Sequence, residues 1–181
     1  MSKTRQVLLC GLGGQGVVLA GRLLGTAAFR EGLEVSGTSS YGAAARGGEC
    51  RSEVVLSEEP IGFPFVTQAD VLVSLSQSAY NRYITWTKSP DGIVFYDPAD
   101  VHPAADAPQR HIPVPVSETA ERVLGTKLGA NIVMLGAVAR AVGLVTAESL
   151  AVAISERSPG RFRQQNLRAL DAGVELGSAL L

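Results

Sequence analysis

The stretch Val7-Leu8-Leu9-Cys10-Gly11-Leu12-Gly13-Gly14-Gln15-Gly16 constrains this chain most. A short apolar run stops at a glycine-dense turn, and an apolar-periodic segment, Val17 to Arg30, follows at once. That order reads as strand, tight turn, helix. Gly11, Gly13 and Gly16 keep the spacing G-x-G-x-x-G. The first glycine permits a turn, the second a close approach to the backbone, and the third close packing of helix on strand. A helix that opens here points unpaired N–H groups and a partial positive charge outward, which stabilises an anion. Two readings stand: an anion or phosphate site, and a turn that only joins strand to helix.

An ordinary dinucleotide site needs an acid at the end of the second strand, to hold a ribose hydroxyl. The predicted second strand, Leu33 to Thr38, ends in Ser36-Gly37-Thr38-Ser39-Ser40 and carries none there. Its hydroxyls and the nearby Arg46 suit a phosphate better. The loop Ser36 to Cys50 leaves the carboxyl end of that strand, where ligands of open α/β sheets bind. Tyr41 and Arg46 are its largest groups, and a guanidinium can grip a phosphate or carboxylate through two parallel bonds.

The rest of the chain continues the alternation. Helix is expected over Val17–Arg30, with Val17, Ala20, Leu24, Ala27 and Ala28 on one face and Gly32 as its stop. Pairing of the first two strands is expected to be parallel through a right-handed crossover. Arg51–Ser57 reads as a half-exposed or edge strand, and Asp70–Leu75 as a buried one. Helix follows over Gln77–Trp86, capped by Ser76. Ile93–Tyr96 is a strand. The two prolines of His111–Val116 place that segment at an edge. Helices are expected from Ser117 to Leu124, Asn131 to Val142, Thr146 through Ile154, and Phe162 to Leu176. The fold class is therefore single-domain α/β over 1–181, a mostly parallel sheet with flanking helices and a Rossmann-like start.

At 181 residues, one sizeable core fits. A net charge of −1 and an aromatic content of 6% offer neither the field nor the stacking surface of a nucleic-acid binder. No run reaches the length of a membrane span and no signal core opens the chain, so neither nucleic acid nor membrane is an expected partner. The expectation is a soluble protein of a reducing compartment. Its two cysteines, Cys10 and Cys50, are too few for an iron–sulfur cluster. With His102 and His111 as the only histidines, a protein-only zinc site is not expected. Mean hydropathy is +0.18, which points to subunit contacts or to an alanine-rich core. The apolar helix from Asn131 counts for the former. No G-x-S-x-G elbow, thiolate–histidine pair or P-loop lysine occurs, so no catalytic residue and no metal ligand is assigned. Asp97 is assigned a turn role.

Taken together, Gly11-Leu-Gly-Gly-Gln-Gly16 and Ser40-Tyr-Gly-Ala-Ala-Ala-Arg-Gly-Gly48 resemble the two hallmarks of the gamma subunit of 2-oxoacid:ferredoxin oxidoreductases. Val55-Leu-Ser57, Pro60-Ile61, Pro64, Ala69-Asp70, Gln77, Ala79-Tyr80, Asn131, Leu135-Gly136, Asn166, Ala169-Leu170 and Gly173 follow the same family pattern in order. The family often carries proline and glutamate where this chain has Ala43-Ala44. The tyrosine–glycine–arginine form is closer to the 2-oxoglutarate and branched-chain types than to the indolepyruvate type.

The resemblance implies a cytoplasmic complex that oxidatively decarboxylates a 2-oxoacid, passing the acyl group to coenzyme A and electrons to ferredoxin. Thiamine diphosphate, magnesium and iron–sulfur clusters are then expected in alpha and beta (in some assemblies delta) subunits. Gly11, Gly13, Gly14, Gln15, Gly16, Tyr41 and Arg46 are the expected ligand-facing residues of this chain. The competing class is a stand-alone anion- or nucleotide-binding α/β protein without catalysis.

Overall fold

The computed structural model of the protein describes residues 4–41 and 48–180. Strand β1 (Thr4–Leu12) leads through the glycine turn into helix α1 (Val17–Arg30). Strands β2 (Glu34–Tyr41) and β3 (Glu49–Ser57) form an antiparallel pair. Next come β4 (Val71–Ser74), α2 (Gln77–Tyr83), β5 (Ile93–Tyr96) and β6 (Arg110–Pro113). Four helices complete the chain: α3 (Val116–Leu124), α4 (Ala130–Val142), α5 (Ala147–Arg157) and α6 (Gly160–Ala179).

The six strands form one sheet in the order β2-β3-β1-β4-β5-β6. Pairs β1–β4, β4–β5 and β5–β6 are parallel, whereas β1–β3 and β2–β3 are antiparallel. The mostly parallel α/β class expected from the sequence is the one observed. Two local expectations need correction. First, β1 and β2 are not neighbours, because β3 lies between them in antiparallel register. Second, β3 is interior and largely buried, and β2 is the edge. The physical reason is pairing. The serine-rich segment through Tyr41 has little apolar signal, yet eight successive residues, Glu34 to Tyr41, align against Ser57 to Cys50. Backbone ladders of that kind leave no mark in a side-chain pattern. The ladder also carries this strand beyond its expected end at Thr38, through Ser39, Ser40 and Tyr41.

Alternation along the strands sorts the core onto two faces. Val7, Leu9, Val54, Leu56, Val73 and Phe95 point to one, and helices α1, α3, α4, α5 and α6 cover it. Leu8, Cys10, Val55, Leu72 and Val94 point to the other, beneath α2, Val66 and Val101. Helix α1 buries the stripe its periodicity predicted. Asn131 to Ala139 of α4 are buried without interruption. That helix is covered by this chain's own α1, α3, α5 and α6, so of the two placements its apolarity allowed, central or interfacial, it takes the central one, and its apolarity does not by itself argue for a partner subunit. Its closest neighbour is α6, and the contact depends on glycines. A Cβ on Gly136 would lie 2.7 Å from the Leu170 carbonyl oxygen, and one on Gly177 would lie 2.5 Å from that of Ala137.

Both cysteines are free and buried. Burial pushes the Cys10 thiol up to about 12, and it also raises that of Cys50 against a lowering contact from the Val18 backbone N–H. Reactivity follows the thiolate. A thiol-reactive disulfide reagent at pH 8 is therefore expected to label neither cysteine of the native protein within minutes and both after denaturation. Fast labelling of the native protein would contradict the buried placement.

Candidate functional site: a glycine-walled cleft

A cleft of 560 Å³ opens at the carboxyl ends of β1, β4 and β5. Gly14, Gln15 and Gly16 form one wall. Thr126 to Ile132 form another, and Asp97, Asp100 and Ser117 lie along the floor between them. Helices α1, α3, α4 and α6 start at this cleft and α5 ends there at Arg157 and Ser158, so the positive ends of four helices and the negative end of one meet at it. Lys127 and Arg157 add two cations, and Asp97 and Asp100 add two acids.

The glycine turn is held rigidly by amide side chains. Leu12 N–H donates to Gln15 Oε1 at 2.6 Å, and Gln15 Nε2 donates to the Leu75 carbonyl at 2.7 Å. A Cβ on Gly11 would sit 2.6 Å from Gln15 Oε1, so the first glycine makes room for a side chain of the turn itself. Gly13 N–H donates to the Gly48 carbonyl at 2.8 Å, which ties the first hallmark to the second. Gly16 caps α1 with φ 74°, a left-handed conformation that favours glycine. Across from it Asn131 Nδ2 donates to the Gly16 carbonyl at 3.1 Å. A Cβ on Gly16 would overlap the Asn131 amide. Gly14, with φ 102°, has open space beside its Cα.

The five glycine-turn residues named from the sequence thus divide. Gly14, Gln15 and Gly16 line the cleft, while Gly11 and Gly13 hold the turn from behind. Tyr41 ends β2 and is 67% exposed. In register it faces Cys50, which in turn faces Gly11. Tyr41 and the turn therefore share one end of the sheet, about two strand spacings or ~10 Å apart. Tyr41 does not line the cleft. Arg46 lies outside the described residues.

Asp97 plays the turn role expected of it and a second one. Buried, it accepts from Ala99 N–H at 3.2 Å and from Ser117 N–H, in the first turn of α3, at 2.9 Å. Sequence reasoning missed Lys127, Leu128, Arg157 and Phe162. Leu19, Leu128 and Phe162 are exposed apolar side chains gathered around this one cleft. Asn131, read from the sequence as a helix cap or a contact, is the contact, since Gly129 caps α4; it and Asn166, named in the family pattern, both reach the cleft wall. Among the described residues no three His, Cys, Asp or Glu side chains come together to hold a metal. No helix among them is long and apolar enough to cross a membrane.

Comparison with known proteins follows the same outline. Residues 6–176 match the family model described as pyruvate ferredoxin/flavodoxin oxidoreductase. The 2-oxoglutarate synthase subunit KorC of Methanocaldococcus jannaschii is 40% identical over 181 residues, covering 97% of this chain and 95% of that protein. The crystal structure of a keto/oxoacid ferredoxin oxidoreductase gamma subunit from Geobacter sulfurreducens superposes with a TM-score of 0.84 at 31% identity, over 97% of this chain and 99% of that one. The 2-oxoglutarate:ferredoxin oxidoreductase of Magnetococcus marinus, solved with 2-oxoglutarate, coenzyme A and succinyl-CoA bound, gives 0.89 at 26% identity. That match covers all of this chain and 32% of the longer one. The chain belongs to the pyruvate ferredoxin/flavodoxin oxidoreductase family, as a gamma-type subunit of a multisubunit 2-oxoacid:ferredoxin oxidoreductase.

Proposed function

We propose that this subunit serves a 2-oxoglutarate-type oxidoreductase and that its glycine-turn end faces coenzyme A at a junction with alpha and beta subunits. The observation that carries the reading is the cleft. A locked glycine turn, the N-termini of α1, α4 and α6 and the Lys127 ammonium favour anionic groups, with Asp97 already holding the α3 N-terminus, and coenzyme A carries three phosphates at its nucleotide end. The exposed rim of Leu19, Leu128 and Phe162 is apolar surface that a sibling subunit would cover. The substrate assignment leans on KorC and on the Magnetococcus enzyme. Thiamine diphosphate, magnesium and iron–sulfur clusters belong to the sibling subunits in this reading, and they supply decarboxylation and electron transfer to ferredoxin. The residues of this chain bind, orient and exclude water. One domain spans 1–181, and the complex works in the cytoplasm.

Tyr41 and Arg46, on the second hallmark, are assigned to the coenzyme A-facing set with Gly11, Gly13, Gly14, Gln15 and Gly16. Charge-assisted bonds to phosphate are worth about 1.5–3 kcal/mol each. Arg46→Ala in the reconstituted complex is therefore expected to raise KM for coenzyme A by roughly 10- to 100-fold. KM for the 2-oxoacid and the melting temperature of the subunit should stay unchanged. An unaltered coenzyme A dependence would remove Arg46 from the site.

A further inference from the structure

We infer that the open edge of β2 receives an extended segment of a sibling subunit by strand addition, one that alternates acidic with apolar side chains. This rests on the assembly with sibling subunits proposed above. The two edges of the sheet are built differently. The β6 edge has four residues and ends at Pro113, with Pro115 just beyond, which is how native sheets blunt an edge. The β2 edge has eight residues, Glu34 to Tyr41, and carries no proline, no lysine and no other strand among the described residues. Its side chains from Ser36 to Ser40 are small or hydroxylic, so a second backbone can approach. An edge of that length, with no strand beside it among the described residues, is a template for another strand.

The exposed aromatic side chains mark the same place. Among the described residues five are strongly exposed, and four of them, Phe29, Tyr41, Phe63 and Phe65, flank β2. Phe29 lines a groove of 590 Å³ between α1 and the β2–β3 face, with Gly25, Val35 and Gly37. Phe63 and Phe65 stack edge to face on the opposite side, where Ser36 Oγ donates to the Pro64 carbonyl at 2.8 Å. Side chains of an added strand would alternate between these two environments.

Charge selects the occupant. The charged residues in the groove wall are Arg22 and Arg157, and neither pairs with a carboxylate among the described residues. Arg157 Nε instead donates to Thr26 Oγ1 at 2.9 Å. Acids at the groove-facing positions of the incoming strand would meet these guanidinium groups, and apolar residues at the alternate positions would meet Phe63 and Phe65. A second copy of this chain fits poorly. Its own groove-facing residues are Val35, Gly37 and Ser39, and two-fold pairing would bring four arginines to one side with no acid between them.

Hydrogen exchange read by mass spectrometry, on the free full chain and on the active complex purified with its sibling subunits, tests this. Every second amide of Glu34–Tyr41 is expected to exchange at least ~10-fold more slowly in the complex. Arg22→Glu, on the exposed face of α1, is expected to weaken association with the siblings at least ~10-fold and to leave the melting temperature of the free chain unchanged. An active complex with unprotected β2 amides would overturn this inference alone. Protection of β2 in a concentration-dependent dimer of the free chain would overturn it in favour of a second copy. Failure of any complex to form would overturn it together with the functional reading.

Discussion

Gly173→Ala is expected to destabilise the subunit by about 3 kcal/mol or more, near the upper end of what overpacking costs. Alanine is the better helix former by about 1 kcal/mol, so propensity alone argues for a gain. Packing decides otherwise. The added methyl group would overlap the Val133 carbonyl oxygen and lie 2.9 Å from its carbonyl carbon. These are backbone atoms of α4, and no rotamer change moves them. Relief requires α4 and α6 to separate, which uncouples the residues between them, Leu170 against Gly136 included. For a domain of this size each kcal/mol corresponds to about 2–4 °C, so the melting temperature should fall by about 10 °C. An unchanged or higher melting temperature would show that the two helices do not approach this closely.

Gly16→Ala is the second large effect, and it acts at the cleft. Two costs add. A left-handed non-glycine residue costs about 1–2 kcal/mol, and the methyl group meets the Asn131 amide. Asn131→Ala alone should cost only about 1 kcal/mol, because the Gly16 carbonyl still accepts from Ala20 N–H at 3.0 Å. The double variant should then be less destabilised than the sum of the two by about 1 kcal/mol, since removal of the amide makes room for the methyl group. Urea unfolding of the three variants measures this coupling. Strict additivity would mean that Gly16 is required for its backbone conformation and not for the approach of Asn131. In the reconstituted complex Gly16→Ala should also reduce turnover at least ~10-fold, because a displaced turn would misplace the anionic groups proposed to bind there, and a shift of about 1 Å can cost about 100-fold.

Side-chain pattern carried the sequence reading where pattern and structure share a cause. The buried stripe of α1, the cap at Ser76, the cap at Thr146 and the strand Ile93–Tyr96 were all legible, because burial and capping act through particular side chains. The glycine turn was legible as a turn. What fills it was not: Gln15 and Asn131 occupy the space the glycines leave, and Asn131 is 115 residues away from Gly16. The edge status of β2 was hidden for a related reason. Its residues are serine, glycine and threonine, and its position follows from backbone pairing with β3. The cleft rim was unreadable too, since Leu19, Leu128 and Phe162 come from three distant segments. Family resemblance supplied part of the difference. It drew attention to Gly136 and Gly173 without a reason, and the α4–α6 contact gives the reason.

We propose that this chain is an essential, coenzyme A-facing part of a larger oxidoreductase. This claim is tested most directly by co-purifying the tagged chain with its sibling subunits and measuring 2-oxoglutarate- and coenzyme A-dependent dye reduction, with the chain present and then omitted. The expected result is activity that needs the chain and, at limiting coenzyme A, rises with its occupancy in the complex. Full activity without the chain, or a chain that binds no thiamine- and cluster-bearing partner, would contradict the claim.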